Sequence, residues 1–213
     1  MKAKLLAEAI GTFFLVLAVG LSSFYAEAMG PVAIGFTLMV MAYAVGPLSG
    51  AHFNPAITVA AWIRGSLTPR EVAPYWGAQF AGGLLAALLV YKFSGVPIWV
   101  GPGDAVSTTK MLVGEMVWTF ALALVILNVA TLKSSAGNSY FGLAIGGTVL
   151  AGAFVMGPIT GGAFNPVVGL APAIFAMLIG REVPPQAWVY LVGPVVGAAA
   201  AALAFKQMYP EER

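Results

Sequence analysis

The chain has 213 residues, of which 60% are hydrophobic and 8% charged, with a mean hydropathy of +0.92 and a formal net charge of +2. A water-facing surface cannot be built from so few charges, and ten scattered basic residues make no basic face for nucleic acid. With no cysteine and a single histidine, His52, there is no disulfide framework, thiolate nucleophile or paired metal ligand. Met39, Met41, Met111, Met116 and Met177 offer soft sulfur but nothing to complete a site, so neither a metal nor a cofactor is expected.

Crossing roughly 30 Å of hydrocarbon takes about 20 apolar residues in a helix. Six stretches approach that length: Lys4 to Phe24, Pro31 to Val45, Val72 to Phe93, Met111 to Leu132, Tyr140 to Met156 and Gln186 to Phe205. The first could be read as a secretory signal after Lys2 and Lys4, but Glu8 interrupts its apolar run, so it is assigned as a span. Two shorter apolar stretches, Asn54 to Ile63 and Asn165 to Met177, each begin at Asn-Pro. Asparagine caps free backbone N–H groups and proline lacks one to cap, which predicts two half-helices that start abruptly.

The chain reads as two copies of one unit. Glu8-x-x-x-Thr12-Phe13 recurs as Glu115-x-x-x-Thr119-Phe120, and Ser49 to Ala56 recurs as Thr160 to Val167 with an offset of 165 − 54 = 111. Tyr75 to Gly82 pairs more loosely with Tyr190 to Gly197. The whole is expected to be one transmembrane domain, with repeat one at about 1–95 and repeat two at about 110–206. Three spans per copy is an odd number, so the second copy enters the membrane from the opposite side and the two half-helices approach each other. With Lys2, Lys4, Arg64, Arg70, Lys133, Lys206 and Arg213 on one side and Lys92, Lys110 and Arg181 on the other, both termini are expected in the cytoplasm. The Gly- and Pro-rich loop from Ser94 to Thr109 is then external.

Irregular backbone at membrane depth is tolerated only where it is buried in protein or lines a watery cavity. The two Asn-Pro turns are therefore expected to meet near the midplane, with the positive ends of both half-helices facing the centre and repelling cations. Their side chains, Asn54 and Asn165, cap and also donate toward a passing solute. Acceptors are expected in the backbone carbonyls of Gly50, Ala51 and His52 and of Gly161, Gly162 and Ala163. Glu8 and Glu115, symmetric and deep inside spans, read as acceptors for the N–H groups of the neighbouring loops. His52 reads as a loop brace, with a pH gate as the alternative.

The motifs Ser49-Gly50-Ala51-His52-Phe53-Asn54-Pro55-Ala56 and Thr160-Gly161-Gly162-Ala163-Phe164-Asn165-Pro166-Val167, with the two Glu-x-x-x-Thr pairs, closely resemble the aquaporin and glycerol-facilitator superfamily over essentially the whole chain. The resemblance implies an all-α membrane fold of six spanning helices and two half-helices, one pore per subunit, a homotetramer, and the inner membrane as its location. Two departures stand out. Val167 replaces the family's usual alanine, and Val168 stands where the family normally has arginine. By resemblance the outer constriction comprises Ile34, Ala153, Gly162 and Val168. All four are uncharged and two are very small, so a wide apolar filter is expected, weaker in cation exclusion than one with arginine and suited to glycerol, urea or neutral metalloid hydroxides as well as water.

No nucleophile, base and orienting group stand together, so an enzyme is not expected. An ion-coupled secondary transporter can use the same inverted repeat, and a dewetted, closed pore in a structural membrane protein is the other alternative.

Overall fold

A computed structural model describes residues 1–101 and 106–212. Arg213, counted above among the cytoplasmic charges, and part of the loop expected between Ser94 and Thr109 lie outside them.

Eight α-helices account for most of the described chain: α1 Lys2–Tyr25, α2 Gly30–Ser49, α3 Pro55–Arg64, α4 Pro69–Ser94, α5 Thr108–Thr131, α6 Phe141–Thr160, α7 Pro166–Leu178 and α8 Val189–Met208. Six are long and apolar enough to span a bilayer, and α3 and α7 are the two short ones. The elements match those expected, with two corrections. The spans expected to stop at Val45 and Met156 run on to Ser49 and Thr160, through Pro47 and Pro158. A proline near the end of a helix forfeits one i→i−4 bond but need not stop the helix. Termination comes instead at Gly50 and Gly161, left-handed C-caps whose N–H groups bond to Gly46 and Gly157.

The repeats interlock through small residues. The most extensive contacts are α5 with α8 and α1 with α4, one pair in each repeat. At the centre of each is a glycine with no room for a side chain: a Cβ on Gly82 would lie 2.2 Å from Ala9 O, and one on Gly197 would lie 2.1 Å from Met116 O. Between repeats, α2 packs on α6, with Gly35 and Gly146 facing each other's backbone. Hydrocarbon solvates apolar side chains as well as protein does, so such close backbone packing is what holds spans together. The half-helices cross over: α3 packs chiefly on α8, and α7 chiefly on α4. This exchange brings the starts of α3 and α7 together in the middle of the bundle.

The basic residues sort by end. Lys4 pairs with Glu71 at 2.9 Å, and Arg64 pairs with Glu212 at 3.0 Å beside Lys133. Helix direction puts Lys92, Lys110 and Arg181 at the other end.

Candidate functional site

Each segment between a span and a half-helix must reverse direction while its backbone donors remain paired. In the first, Gly50, Ala51 and Phe53 have φ of 88°, 50° and 48°; in the second, Gly161, Gly162 and Phe164 have 89°, 65° and 49°. A left-handed phenylalanine costs about 1–2 kcal/mol, and it turns consecutive N–H groups toward one point. That point is a carboxylate. Glu115 accepts from Thr160 Oγ1 at 2.7 Å, Ala163 N at 3.1 Å and Phe164 N at 2.6 Å. Glu8 accepts from Ser49 Oγ at 2.7 Å, His52 N at 3.0 Å and Phe53 N at 2.7 Å, and additionally from Gln79 Nε2 at 2.8 Å. Both carboxylates are fully buried. A tyrosine from the next span finishes each turn: Tyr75 donates to Ser49 O at 2.9 Å and Tyr190 to Thr160 O at 2.5 Å.

The two turns then bind each other. Asn54 and Asn165 stand in extended conformation as N-caps of α3 and α7, each Oδ1 accepting at 2.9 Å from the N–H two residues on, in Ala56 and Val167. Pro55 and Pro166 follow as first helical residues. Asn54 Nδ2 donates to Phe164 O and Asn165 Nδ2 to Phe53 O, both at 2.8 Å. An amide nitrogen carries two hydrogens, so one N–H of each asparagine remains, and both residues border a cavity between the turns. The reciprocal bonds place the positive ends of α3 and α7 side by side.

That cavity is small, about 30 Å³, enough for roughly two water molecules. It shares His52, Ile57 and Ile126 with a space of about 250 Å³ at the Arg64 end of the bundle, and Val19 and Ile34 with one of about 210 Å³ at the opposite end. Along this run of cavities the carbonyls of Gly50, Ala51, His52, Gly161, Gly162 and Ala163 accept no hydrogen bond from described residues, and all six residues border one of the cavities. His52 is braced as expected, its Nδ1 lying 3.2 Å from Thr58 Oγ1, which in turn receives Gln79 Nε2 at 3.0 Å.

Of the four expected constriction residues, Ile34, Gly162 and Val168 border the central cavity, while Ala153 lies one level out. They are close in space: a Cβ on Gly162 would stand 3.5 Å from Ala153 Cα. Small residues lie at the outer level, and Leu15, Leu38, Ile57, Leu122 and Val149 border the central cavity together with Ile34, Gly162 and Val168. No motif marks those residues, which look like ordinary span residues in the sequence. Gln79 and Thr58 were also missed, having no counterpart in repeat two, where Pro194 and Gly169 stand at the matching offsets.

Residues 1–205 match the family described as Major intrinsic protein. The chain belongs to that family. Among its relatives, the putative aquaporin NIP4-1 of Arabidopsis thaliana is 40% identical over 204 residues, 91% of this chain and 70% of that protein. The aquaporin NIP1-1 of Oryza sativa subsp. japonica is 40% identical over 212 residues, 95% of this chain and 72% of that protein. The fold matches the X-ray structure of the aquaglyceroporin from Plasmodium falciparum with a TM-score of 0.88, at 21% identity and covering 99% of this chain and 98% of that one. This member of the major intrinsic proteins is therefore a multi-pass membrane protein and a passive channel for water and small solutes, not an enzyme.

Proposed function

We propose that this major intrinsic protein passes small uncharged solutes, water, glycerol, urea and neutral metalloid hydroxides among them, in single file past Asn54 and Asn165. The observation that carries this reading is the pattern of polar groups along the cavities. In this reading the six carbonyls and the two amide N–H groups serve as a line of acceptors and donors among otherwise apolar lining residues. A solute with hydroxyl or amide groups exchanges water for that line, while an ion finds no shell to replace its hydration. The adjoining positive helix ends add a barrier to cations. With Val168 in place of a cation, Ile34, Ala153, Gly162 and Val168 form an uncharged filter that sorts by size and by the cost of leaving water.

Both termini and the Arg64 end face the cytoplasm in this reading, in the inner membrane, by the excess of Lys and Arg there. Exposed apolar residues such as Leu6, Leu85 and Leu203 meet bilayer lipid or further copies in a homotetramer. The test is the driving force. In proteoliposomes, solute entry should follow the solute gradient alone and be unchanged when proton and sodium gradients are collapsed; accumulation against a gradient would assign an ion-coupled transporter, and no entry of any solute a closed pore.

A further inference from the structure

The inverted repeat is matched closely in its turns but broken in one aromatic pair. In repeat one, the ring of His52 stands 5.2 Å from that of Tyr75, the tyrosine that secures Ser49 O. The matching residue in repeat two is Ala163, since 163 − 52 = 111, which leaves Tyr190 without a ring from its own turn. Its partner comes from elsewhere: Trp99, in the segment following α4, lies 5.9 Å from Tyr190 at 72°. Ile98 and Val100 on either side are buried, anchoring the segment. Gly101 then rests directly on the second turn, where a Cβ on Gly161 would be 2.8 Å from Gly101 N. The outer chain thus descends into the mouth and sets an indole at the place that a histidine takes at the inner end.

Its donor is open. The indoles of Trp76 and Trp118 donate to Pro55 O at 3.1 Å and Thr148 O at 3.0 Å, as inward-facing indoles ordinarily do. Trp99 is half-buried, borders the outer cavity with Ile34, Ala153 and Gly101, lays its Nε1 beside Gly101, where an added Cβ would be 2.1 Å away, and donates to no described residue. The hydroxyls of Ser22 and Ser23 in the same cavity are both turned to Val19 O. Val168 offers no donor at all.

We infer that Trp99 is a specificity-determining residue of the outer mouth, the pseudo-symmetric counterpart of His52, whose indole N–H supplies the hydrogen bond to an entering solute's oxygen that residue 168 cannot. The inference rests on the channel reading. A hydroxyl- or carbonyl-bearing solute gains a bond there in exchange for a lost water, and the ring supplies a flat apolar wall for its carbon skeleton.

The test compares glycerol and water permeability of purified protein in proteoliposomes for the unmodified chain, Trp99→Phe, Trp99→Leu, Trp99→His, and exposed Trp62→Phe as the control. Loss of one neutral hydrogen bond should lower the glycerol-to-water ratio roughly two- to tenfold in Trp99→Phe and in Trp99→Leu. Trp99→His, which keeps a ring N–H, should hold the ratio within about twofold of the unmodified protein, and Trp62→Phe should not move it. An unchanged ratio in whichever of the Phe and Leu variants folds overturns the assignment. So does an equal fall in Trp99→His, which would make the indole's bulk the cause. If the unmodified protein moves neither solute, the channel reading fails as well; if it moves both and the variants match it, only the role of Trp99 fails.

Discussion

Replacing Glu115 by glutamine should destabilise the protein more than the same change at Glu8, and the hydrogen bonds say by how much. Glu115 satisfies two buried N–H groups, Ala163 and Phe164, and one hydroxyl, Thr160. The hydroxyl has a second acceptor, Met156 O at 3.3 Å, so its loss is nearly neutral. The two N–H groups have none. A buried donor left unmade costs about 1–3 kcal/mol, so removing both acceptors costs roughly 2–6 kcal/mol. Glutamine keeps one oxygen but turns an NH₂ toward the other N–H, which puts Glu115→Gln at about 2–4 kcal/mol. At position 8 the same NH₂ has an acceptor if the Gln79 amide turns over: its Nε2 faces Glu8, and its Oε1 is buried with no partner among the described residues, so the flip exposes no donor that was previously paired only by that oxygen. Glu8→Gln should therefore cost about 1 kcal/mol less than Glu115→Gln. Chemical denaturation of both variants in detergent, followed by circular dichroism, measures the difference. A loss below about 0.5 kcal/mol for Glu115→Gln, or a larger loss for Glu8→Gln, would refute the view that these carboxylates carry the strained turns.

Three other perturbations address different parts of the structure. Val168→Arg fills space next to the 30 Å³ cavity with a cation and should cut glycerol flux severalfold while sparing water; undiminished glycerol flux in a folded variant would remove residue 168 from the filter. Asn165→Asp sets a negative charge where the starts of α3 and α7 adjoin, and should raise cation conductance in planar bilayers over the unmodified channel. Equal conductance would show that the turn does not face the path. Gly82→Ala forces a Cβ to within 2.2 Å of Ala9 O, so α1 and α4 must part at a cost of about 1–3 kcal/mol. A melting temperature equal to that of the unmodified protein would show that this contact has slack.

The architecture was legible because it is written twice. A lone Asn-Pro is an ordinary turn, but Asn54 and Asn165 in register with Glu8 and Glu115 specify an inverted repeat, and from that the meeting of α3 and α7 follows. Glu8 and Glu115 could be assigned because a carboxylate deep in a span needs donors and the nearest available ones are in the adjoining turn. Legibility failed where the repeat is broken. Gln79, Thr58 and Trp99 have no twin to mark them, and the contacts of Gln79 with Glu8 and Thr58 and of Trp99 with Tyr190 span 21 residues or more, beyond the reach of local pattern. The apolar lining of the central cavity was missed for another reason. Leu15, Leu38 and Leu122 look the same in sequence whether they face lipid, a neighbouring helix or the path, and only the packing of all the spans decides which. The helices end at Ser49 and Thr160, past the expected Val45 and Met156, because Pro47 and Pro158 near the end of a helix sacrifice only a single bond each.

The most direct test of the central claim is stopped-flow light scattering on proteoliposomes, with water and glycerol permeability of the purified protein measured against empty vesicles. Passage through an uncharged filter lined by Ile34, Ala153, Gly162 and Val168 predicts glycerol entry well above the empty-vesicle rate, unaffected by collapsing ion gradients. Fast water movement with glycerol at the empty-vesicle rate would contradict it, and would mean that the path past these residues and their neighbours Leu15, Leu38 and Leu122 is too narrow for glycerol.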